Sequence, residues 1–313
     1  MVSLVAHHLE RNHPELVPTD PNAVDGIRHA NVPTGYKRDV LDMVWREAGT
    51  ESLLSVGQGI RTVEYDPIWH SAIRATNPRY LFDKWQRFEA FAHSSNRLRI
   101  DQGDEKRASF HRYTVDGGSP TTPENLLICG LIIALLEQIG CRGLICEMAF
   151  PYGKPFRIRE NGRFRMPDDP DGLVTSAWMI EWRAFKPRAG NTTPNGGLPR
   201  LTLPRSCDSS LREAIEGVVR ILMRDVARQW RVGELAREVG LSARSLQRRL
   251  GDASLSFSRL VRLVRIHEAC RLLKDSDAPI TVIAFCAGFS DSAHLSRDFR
   301  ASMGMSPSDY RAV

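Results

Sequence analysis

Three long polar side chains lie close together in the segment SARSLQRRL, which occupies residues 242–250. A helix would place Arg244, Gln247 and Arg248 on or near one side, because residues three and four apart are neighbours on its surface. The planar guanidinium of arginine donates two hydrogen bonds to guanine, and the glutamine amide pairs with adenine in a similar way. The types and spacing of these residues therefore predict a helix that can read the edges of DNA bases.

A second segment, SDSAHLSRDFR, begins 48 residues later and repeats the same plan. Each segment follows a glycine and a large apolar residue, Gly240-Leu241 in the first case and Gly288-Phe289 in the second. Each then carries a leucine with an arginine two residues further on. A helix there would keep its leucine and phenylalanine inward and would turn four residues outward: Ser292, Ala293, Ser296 and Arg297.

Two short helices joined by a glycine turn would hold each set in place. Ala236 is small enough to let a second helix cross close by, and Gly240 can adopt the positive φ of a tight turn. Ser242 can cap the second helix, whose two leucines face inward. This is the pattern of a helix-turn-helix, whose second helix enters the major groove of DNA. We expect one such unit over about residues 232–252 and another over about residues 280–303.

Any pair of helices with a glycine turn shares this pattern, so one unit alone would not separate DNA binding from ordinary helix packing. Two units in tandem can read two successive DNA segments on one face, about one helical turn or roughly 34 Å apart. Charge supports this interpretation, because residues 206–313 carry 17 Lys and Arg against 13 Asp and Glu, and 16 of those cations are Arg. Arginine suits phosphates and guanine edges better than lysine does.

The segment ITVIAFCAGFSDSAHLSRDFRASMGMSPSDYR resembles the signature of the AraC/XylS family of transcription regulators. Upstream, SFSRLVRLVRIHEACRLL resembles the helix that links the two units in that family. The resemblance covers about residues 209–313, with one departure at His294-Leu295, where many members have an aromatic pair. The matching positions are Ile283-Ala284, Gly288-Phe289, Ser292, Arg297-Asp298-Phe299, Gly304, Ser306-Pro307 and Tyr310-Arg311, with Arg265, Ala269 and Leu272-Leu273 in the linking helix.

The resemblance implies a sequence-specific DNA-binding regulator, in which the first recognition helix does most of the base reading. Its expected partners are double-stranded DNA and RNA polymerase, and its expected effect is activation of transcription. It also implies an N-terminal region that binds a small-molecule effector or forms a homodimer. The residues predicted to read bases are Arg244, Gln247, Arg248, Ser292, Ala293, Ser296 and Arg297. The residues predicted to contact phosphates are Ser242, Arg249, Ser290 and His294.

The chain divides at a segment rich in Pro, Gly, Thr and Asn, residues 186–210, which has no helical or strand period. Before it, helices are followed by alternating strands and one covering helix, the order of an α+β domain. After it, the pattern is helical throughout. We expect an α+β sensor or dimerisation domain over residues 1–190, a linker over 191–208, and an all-α DNA-binding domain over 209–313 with a long linker helix between its two helix-turn-helix units.

One candidate ligand site in the first domain is the segment FRIRENGRFR, which predicts a hairpin turning at Asn161-Gly162. We expect its arginines on one face, where they can hold an anion, and Phe156, Ile158 and Phe164 on the other. A solvated strand face would show the same pattern. The arginines concerned are Arg157, Arg159, Arg163 and Arg165.

A second candidate is the segment WMIEWRAF, whose large apolar residues alternate along a strand. Trp178 and Trp182 can line a ligand pocket, or they can belong to an ordinary core. Nothing in the sequence names the ligand.

No motif of catalysis or of cofactor binding is present. The chain lacks G-x-S-x-G, a P-loop, G-x-G-x-x-G and H-E-x-x-H, so we expect neither an enzyme nor a cofactor. His7, His8 and His13 lie near an N-terminal end that we expect to be frayed rather than metal-binding. The six cysteines have no metal-binding spacing and are expected to be reduced thiols. No secretory signal and no apolar run of roughly 18 residues is present, so we expect a cytoplasmic protein without a membrane span.

Two alternatives to an effector-controlled regulator stay open at this point. The chain can be a ligand-independent DNA-binding protein whose large domain only contacts partners. It can also be an enzyme tethered to DNA. A screen for ligands that stabilise the protein distinguishes an effector-controlled regulator from the ligand-independent alternative. Turnover of such a ligand would favour the enzyme tethered to DNA.

Overall fold

Two compact units make up the chain in the computed structural model. The first comprises Met1–Asp66 and Asn77–Pro187, and the second comprises Pro67–Thr76 and Arg188–Val313. The predicted linker over residues 191–208 lies mostly outside the described part of the chain. The residues that the structure describes are 2–17, 34–63, 66–91, 95–168, 170, 172–188, 198–199, 201, 203–204 and 207–313.

Helices come first along the chain, as the sequence predicts, and the break between two of them falls at Asn77-Pro78. Proline ends the preceding helix because it disfavours helical backbone in the residue before it. The fourth helix belongs to the second unit and the others to the first. The described helices up to residue 139 are α1 (Val2–Asn12), a 3-10 helix (Pro14–Leu16), α2 (Thr34–Ala48), α3 (Thr50–Ser55), a 3-10 helix (Val56–Arg61), α4 (Pro67–Ile73), α5 (Pro78–Phe91) and α6 (Thr122–Ile139).

An antiparallel sheet of six strands forms the other half of the first unit, in the order β1-β2-β7-β4-β5-β6, and β3 pairs with β8 separately. Strand β2 alternates strictly between exposed and buried residues, so one of its faces packs on the core. The strands are β1 (Asn96–Asp104), β2 (Arg107–Thr114), β3 (Cys141–Arg142), β4 (Ile145–Met148), β5 (Phe156–Glu160), β6 (Arg163–Phe164), β7 (Ala177–Glu181) and β8 (Ala184–Phe185).

The helix α6 is the centre of the first unit's core. By length and composition it could cross a membrane, but 78% of it is buried inside the protein, as in a core helix. A β-carbon on Gly130 would overlap the carbonyl of Leu54, so glycine is what lets α3 cross so closely. The helix is capped by Thr121, whose hydroxyl accepts from the backbone of Glu124 while the Glu124 carboxylate accepts from the backbone of Thr121.

The first helix corrects the prediction of a frayed N-terminus. Leu4 and Leu9 are buried, so α1 is packed into the first unit. His8 is buried with them, its ring 2.9 Å from the Ser52 hydroxyl and 3.2 Å from the Asn12 amide. Burial, with His13 and His7 adding to it, lowers the pKa of His8 to about 4. Among the described residues, no group of three His, Cys, Asp or Glu side chains is placed to hold a metal ion.

Beyond residue 208 the second unit is helical throughout, as the sequence predicts, and it forms seven helices. The N-cap side chains Asp208, Ser242, Ser256, Asp291 and Ser306 each accept a hydrogen bond from the backbone of their own helix. The α+β and all-α parts of the predicted fold are therefore confirmed. The seven helices are α7 (Ser209–Arg224), α8 (Val232–Glu238), α9 (Ala243–Asp252), α10 (Phe257–Asp275), α11 (Ile280–Cys286), α12 (Ser292–Met303) and α13 (Pro307–Ala312).

The short helix α4 is also part of this second unit, which the sequence did not predict. Arg74, at its end, is buried and donates from Nε to the Arg224 carbonyl at 3.0 Å and from Nη2 to the Met223 carbonyl. Its Nη1 lies 3.9 Å from a carboxylate oxygen of Glu268 on α10. Arg74 therefore satisfies the last carbonyls of α7, where a cation also complements the helix dipole.

Candidate nucleic-acid interface

The turns of the two predicted helix-turn-helix units are built alike. In the first, the Leu241 backbone N–H donates to the Ala236 carbonyl at 2.8 Å. In the second, the Phe289 N–H donates to the Ala284 carbonyl at 2.9 Å. The glycine between them has a positive φ in each case, 69° for Gly240 and 87° for Gly288. The repeat seen in the sequence is therefore a repeat of backbone geometry.

Small and apolar residues hold the two helices of each unit together. Ala236 and Ala284 are buried in the first helices, and Phe289 is buried directly after the second turn. Leu241 is half-buried and packs against the core formed by α7–α10. The inward residues of the second helices, Leu246, Leu250, Leu295 and Phe299, are at most 1% exposed, as the helical spacing predicts. Their burial fixes which side of α9 and α12 faces outward.

The outward side of α9 carries the predicted base-reading residues of the first unit. Arg244, Gln247 and Arg248 are exposed, and Arg249 is exposed beside them. None of the four forms a salt bridge within the part of the chain that the structure describes. Ser242 caps α9 by accepting from the Ser245 N–H at 3.1 Å, and the side chain stays exposed. The N-terminus of α9 therefore combines a neutral cap with one exposed cation, Arg244, which suits a phosphate.

The outward side of α12 differs from that of α9. Ala293 and Arg297 are exposed, while Ser292 and Ser296 are half-buried. The Ser296 hydroxyl donates to the Ser292 carbonyl at 2.8 Å, so its proton is already used within the helix. The second helix therefore offers Arg297 on the predicted reading side, with Arg300 exposed one turn further on, and a Ser296 hydroxyl that already donates within the helix.

A carboxylate caps α12, and the sequence analysis missed it. Asp291 accepts from the His294 N–H at 2.6 Å and from the Ser290 hydroxyl at 2.9 Å. These hydrogen bonds lower its pKa, so Asp291 is ionised at neutral pH. His294 packs edge-on against Phe289, with its Nδ1 3.0 Å from Ser290 and its Nε2 3.5 Å from Asp298. The predicted phosphate contacts at Ser290 and His294 therefore lie beside negative charge, unlike those at Ser242 and Arg249.

The candidate anion site in the first unit is not formed as predicted. In the hairpin, Arg159 lies opposite Phe164, and residues opposite each other in antiparallel strands share a face. The Arg165 N–H donates to the Ile158 carbonyl at 3.0 Å, which fixes the same register. Since the turn contains two residues, Asn161 and Gly162, the four arginines divide between the two faces. Arg157 and Arg159 lie on one face, and Arg163 and Arg165 on the other.

Two of these arginines are also neutralised by carboxylates. Arg159 is buried, with its Nη2 2.7 Å from Glu137 and its guanidinium 4.2 Å above the ring of Phe164. Arg157 donates to Glu147 at 2.9 Å and to Glu160 at 2.8 Å. Arg157 and Arg159 therefore belong to intramolecular ion pairs, and Arg163 and Arg165 lie on the opposite face, so the four arginines do not form one anion site.

The two tryptophans of the second candidate site lie in the core of the first unit. Trp178 stacks on Phe110 with 5.8 Å between the ring centroids, and Trp182 packs against Phe82 at 6.5 Å. Both tryptophans are buried. Of the two interpretations of this strand, the ordinary core is the one that the structure supports.

Several known proteins are similar to the C-terminal part of the chain. Residues 235–312 match the family described as Helix-turn-helix domain. The HTH-type transcriptional activator FapR of Escherichia coli is 28% identical over 95 residues, which are 30% of this chain and 36% of that protein. The HTH-type transcriptional activator RhaS of Pectobacterium atrosepticum is 32% identical over 105 residues, 33% of this chain and 38% of that protein. The chain thus spans little more than a third of the length of these relatives.

A solved structure with the same kind of similarity is that of the DNA-binding domain of AdpA in complex with a target DNA. It is 29% identical to this chain, with coverage of 32% of this chain and 90% of that domain, and the TM-score is 0.30. The matched residues 235–312 contain both repeated turns and the helices α9 and α12. Residues 235–312 of this chain form a helix-turn-helix domain of the AraC type.

Proposed function

We propose that this protein is a sequence-specific DNA-binding regulator of transcription, and that it activates its target genes. The observation that carries the proposal is the outward side of α9, where Arg244, Gln247 and Arg248 are exposed and free of salt bridges among the described residues. The names of FapR and RhaS, which are called transcriptional activators, support the direction of the effect. A regulator of this kind acts on chromosomal DNA and therefore works in the cytoplasm.

The residue roles within this proposal follow the geometry. Arg244, Gln247 and Arg248 read base edges in the major groove, and Arg249 with Ser242 contacts phosphates. Arg297 and Ala293 form the reading edge of the second helix, with Ser292 and Ser296 at its margin. Ser290 and His294 contribute less to phosphate binding than their counterparts in the first unit, because the Asp291 carboxylate repels a phosphate nearby.

The first unit supplies control in this proposal, through a small-molecule effector or through dimerisation, and the bound protein contacts RNA polymerase. Activity as an enzyme forms no part of it. A thermal-shift screen of the full chain against small metabolites, with sedimentation to measure oligomeric state, tests this part. A chain that neither dimerises nor is stabilised by any compound would favour the ligand-independent alternative.

The central part of the proposal is tested by selecting bound sequences from random double-stranded DNA with the full chain. Enrichment of a defined motif at physiological salt is the expected result. A triple variant with Arg244, Gln247 and Arg248 replaced by Ala should lose the motif, while Arg220→Ala, on the exposed side of α7, should keep it. Retention of the motif by the triple variant would show that α9 does not read it.

A further inference from the structure

The loop of residues 225–231, between α7 and α8, is unusually buried for a surface connection. Connecting segments normally run exposed over the protein surface. Here Val226, Ala227, Arg228 and Trp230 are at most 8% exposed, while Gln229 is exposed. A loop buried to this degree is held in one conformation by what packs around it.

One side of this loop is fixed to the first helix-turn-helix unit. Arg228 donates to Glu234 at 3.2 Å and to Glu238 at 3.1 Å, and both carboxylates belong to α8 or its end. Its guanidinium also lies 3.7 Å above the ring of Trp230. Trp230 in turn donates from its indole to the Asp225 carbonyl at 2.9 Å. The loop is therefore attached to α8 through both ion pairs of Arg228.

The other side of the loop meets the turn of the second unit. A β-carbon on Gly288 would lie 2.6 Å from the Val226 carbonyl oxygen and 3.2 Å from the Ala227 Cα, so the two backbones touch. The Gln229 amide donates to the Gly288 carbonyl at 3.1 Å. Arg265, on α10, donates to the Gln229 amide oxygen at 3.4 Å. Gln229 thus joins the second turn to the linker helix by two hydrogen bonds.

The first turn has no equivalent neighbour. Among the described residues, nothing lies within 4 Å of a β-carbon placed on Gly240, whereas a β-carbon on Gly288 would meet atoms of Val226, Ala227 and Arg265. The two turns share their backbone geometry, so the different surroundings of Gly240 and Gly288 do not come from the conformation of the turns. It arises because the loop of residues 225–231 reaches only the second one.

We propose that the loop of residues 225–231 is a brace that sets the position of α12 relative to α9, and with it the spacing between the two DNA elements that the protein accepts. Without the brace, α9 and α12 would be connected through the linker helix α10 and its flanking turns. With it, α8 is joined directly to the turn that precedes α12. Gln229 is then a positioning residue for spacing specificity, and it contacts no base itself. This inference rests on the proposed function.

The test uses the full chain and the motif selected from random DNA. Binding is measured on the selected site and on sites with one base pair inserted or deleted between the two elements. The wild type should lose about tenfold or more in affinity at either altered spacing, comparable with a mismatched base pair. Gln229→Ala should keep near-wild-type affinity for the selected site and lose most of this spacing discrimination.

Matched variants separate positioning from a loss of fold. Gln229 is exposed, so the Gln229→Ala variant should keep the core intact. Its thermal unfolding temperature should therefore equal that of the wild type. Gln229→Glu keeps the acceptor for Arg265 but cannot donate to Gly288, and should show an intermediate loss. Arg237→Ala, exposed on α8, serves as the control and should retain wild-type discrimination.

Two results would overturn the brace while leaving the proposed function standing. One is unchanged spacing discrimination in both Gln229 variants. The other is a wild-type motif with a single element, since no spacing would then exist to be set. Wild-type protein that selects no motif at all would overturn the proposed function itself.

Discussion

On the recognition helix α9, burial and exposure separate side chains that are adjacent in the sequence. Leu246 and Leu250 anchor the helix in the core, and Gln247 and Arg248 lie between them on the outside. Because these leucines fix the position of α9, its long outward side chains can reach base edges from a defined position of the backbone. Which of them reads bases and which contacts phosphate is therefore a question for single substitutions.

Arg248→Ala should reduce discrimination at one base pair of the selected site, by about 1–3 kcal/mol, because one bidentate contact to guanine is lost. Arg249→Ala should instead weaken binding to all sequences and lower the salt slope by about 1, as a lost phosphate contact does. Competition binding against a panel of single-base variants measures the difference. Equal weakening of Arg248→Ala on every sequence would make that residue a phosphate contact instead.

The two turn glycines offer a matched pair of substitutions. Alanine at either site suffers the strain of a positive φ, which costs about 1–2 kcal/mol. Gly288→Ala should cost roughly 1–3 kcal/mol more than Gly240→Ala, because its β-carbon must push against the Val226 carbonyl. Urea unfolding of the full chain, with hydrogen exchange across α8–α12, measures both. Equal losses at the two sites would mean that the second turn is not packed as described.

His8 makes the stability of the first unit depend on pH. Its pKa is about 4 in the folded chain and about 6.5 when unfolded, so between these values the unfolded chain binds more protons. Stability is therefore full above pH 6.5 and should fall by up to about 3 kcal/mol as the pH drops toward 4. His8→Gln should flatten this part of the profile, as followed by urea unfolding at pH 7.5, 6, 5 and 4.5. A profile unchanged by the substitution would assign the pH dependence to other groups.

At the scale of elements, the helices of the second unit were predictable because their periodicity, caps and glycine turns all agree. The chain beyond residue 208 was predicted to be helical throughout and forms seven helices, and the inward sides of α9 and α12 were predicted correctly. Local chemistry was enough there, since each helix buries one face against its neighbours in sequence.

The hairpin of β5 and β6 shows where pattern reasoning failed. Its turn at Asn161-Gly162 was predicted correctly, with a positive φ of 51° and 77° at the two positions. The prediction assigned residues to the two faces by alternation, as if the chain ran straight through the turn. The two-residue loop instead pairs Arg159 with Phe164, which places both on the same face. Burial of Arg159 against Glu137 depends on α6, which is distant in sequence, and no local pattern reveals it.

The placement of α4 in the second unit could not be predicted for the same reason. Its sequence shows a helix, but its partners are the carbonyls at the end of α7 and Glu268 on α10. Contacts between segments about 150 and 190 residues apart leave no periodic signal.

Arg74→Ala should destabilise the second unit by about 3–5 kcal/mol, because it leaves the buried Glu268 short of a partner and uncaps α7. Arg74→Lys should lose less, since it keeps the charge but not the planar fork. Arg79→Ala, at an exposed site on α5, serves as the control. Thermal unfolding together with hydrogen exchange in α7, α10 and α11 measures the effect. Wild-type protection of these helices in Arg74→Ala would show that α4 does not support them.

At the scale of the whole molecule, the net charge is positive, as binding to DNA requires, but not every cation is available to DNA. The excess of Lys and Arg over Asp and Glu lies in the C-terminal third, as the sequence showed. Two arginines of that third, Arg228 and Arg271, pair with carboxylates within the protein, and Arg74 after α4 donates to carbonyls at the end of α7. Net charge alone therefore overstates the cations available to DNA. The exposed arginines of α9 and Arg297 of α12 are the ones that matter for the proposed function.

The most direct test of the proposed function is the selection of bound sequences by the purified full chain at physiological salt. The expected result is a motif with two elements about one helical turn apart, roughly 10 base pairs centre to centre, one for α9 and one for α12. Binding without any motif, lost steeply as salt increases, would contradict it and would identify a non-specific electrostatic binder.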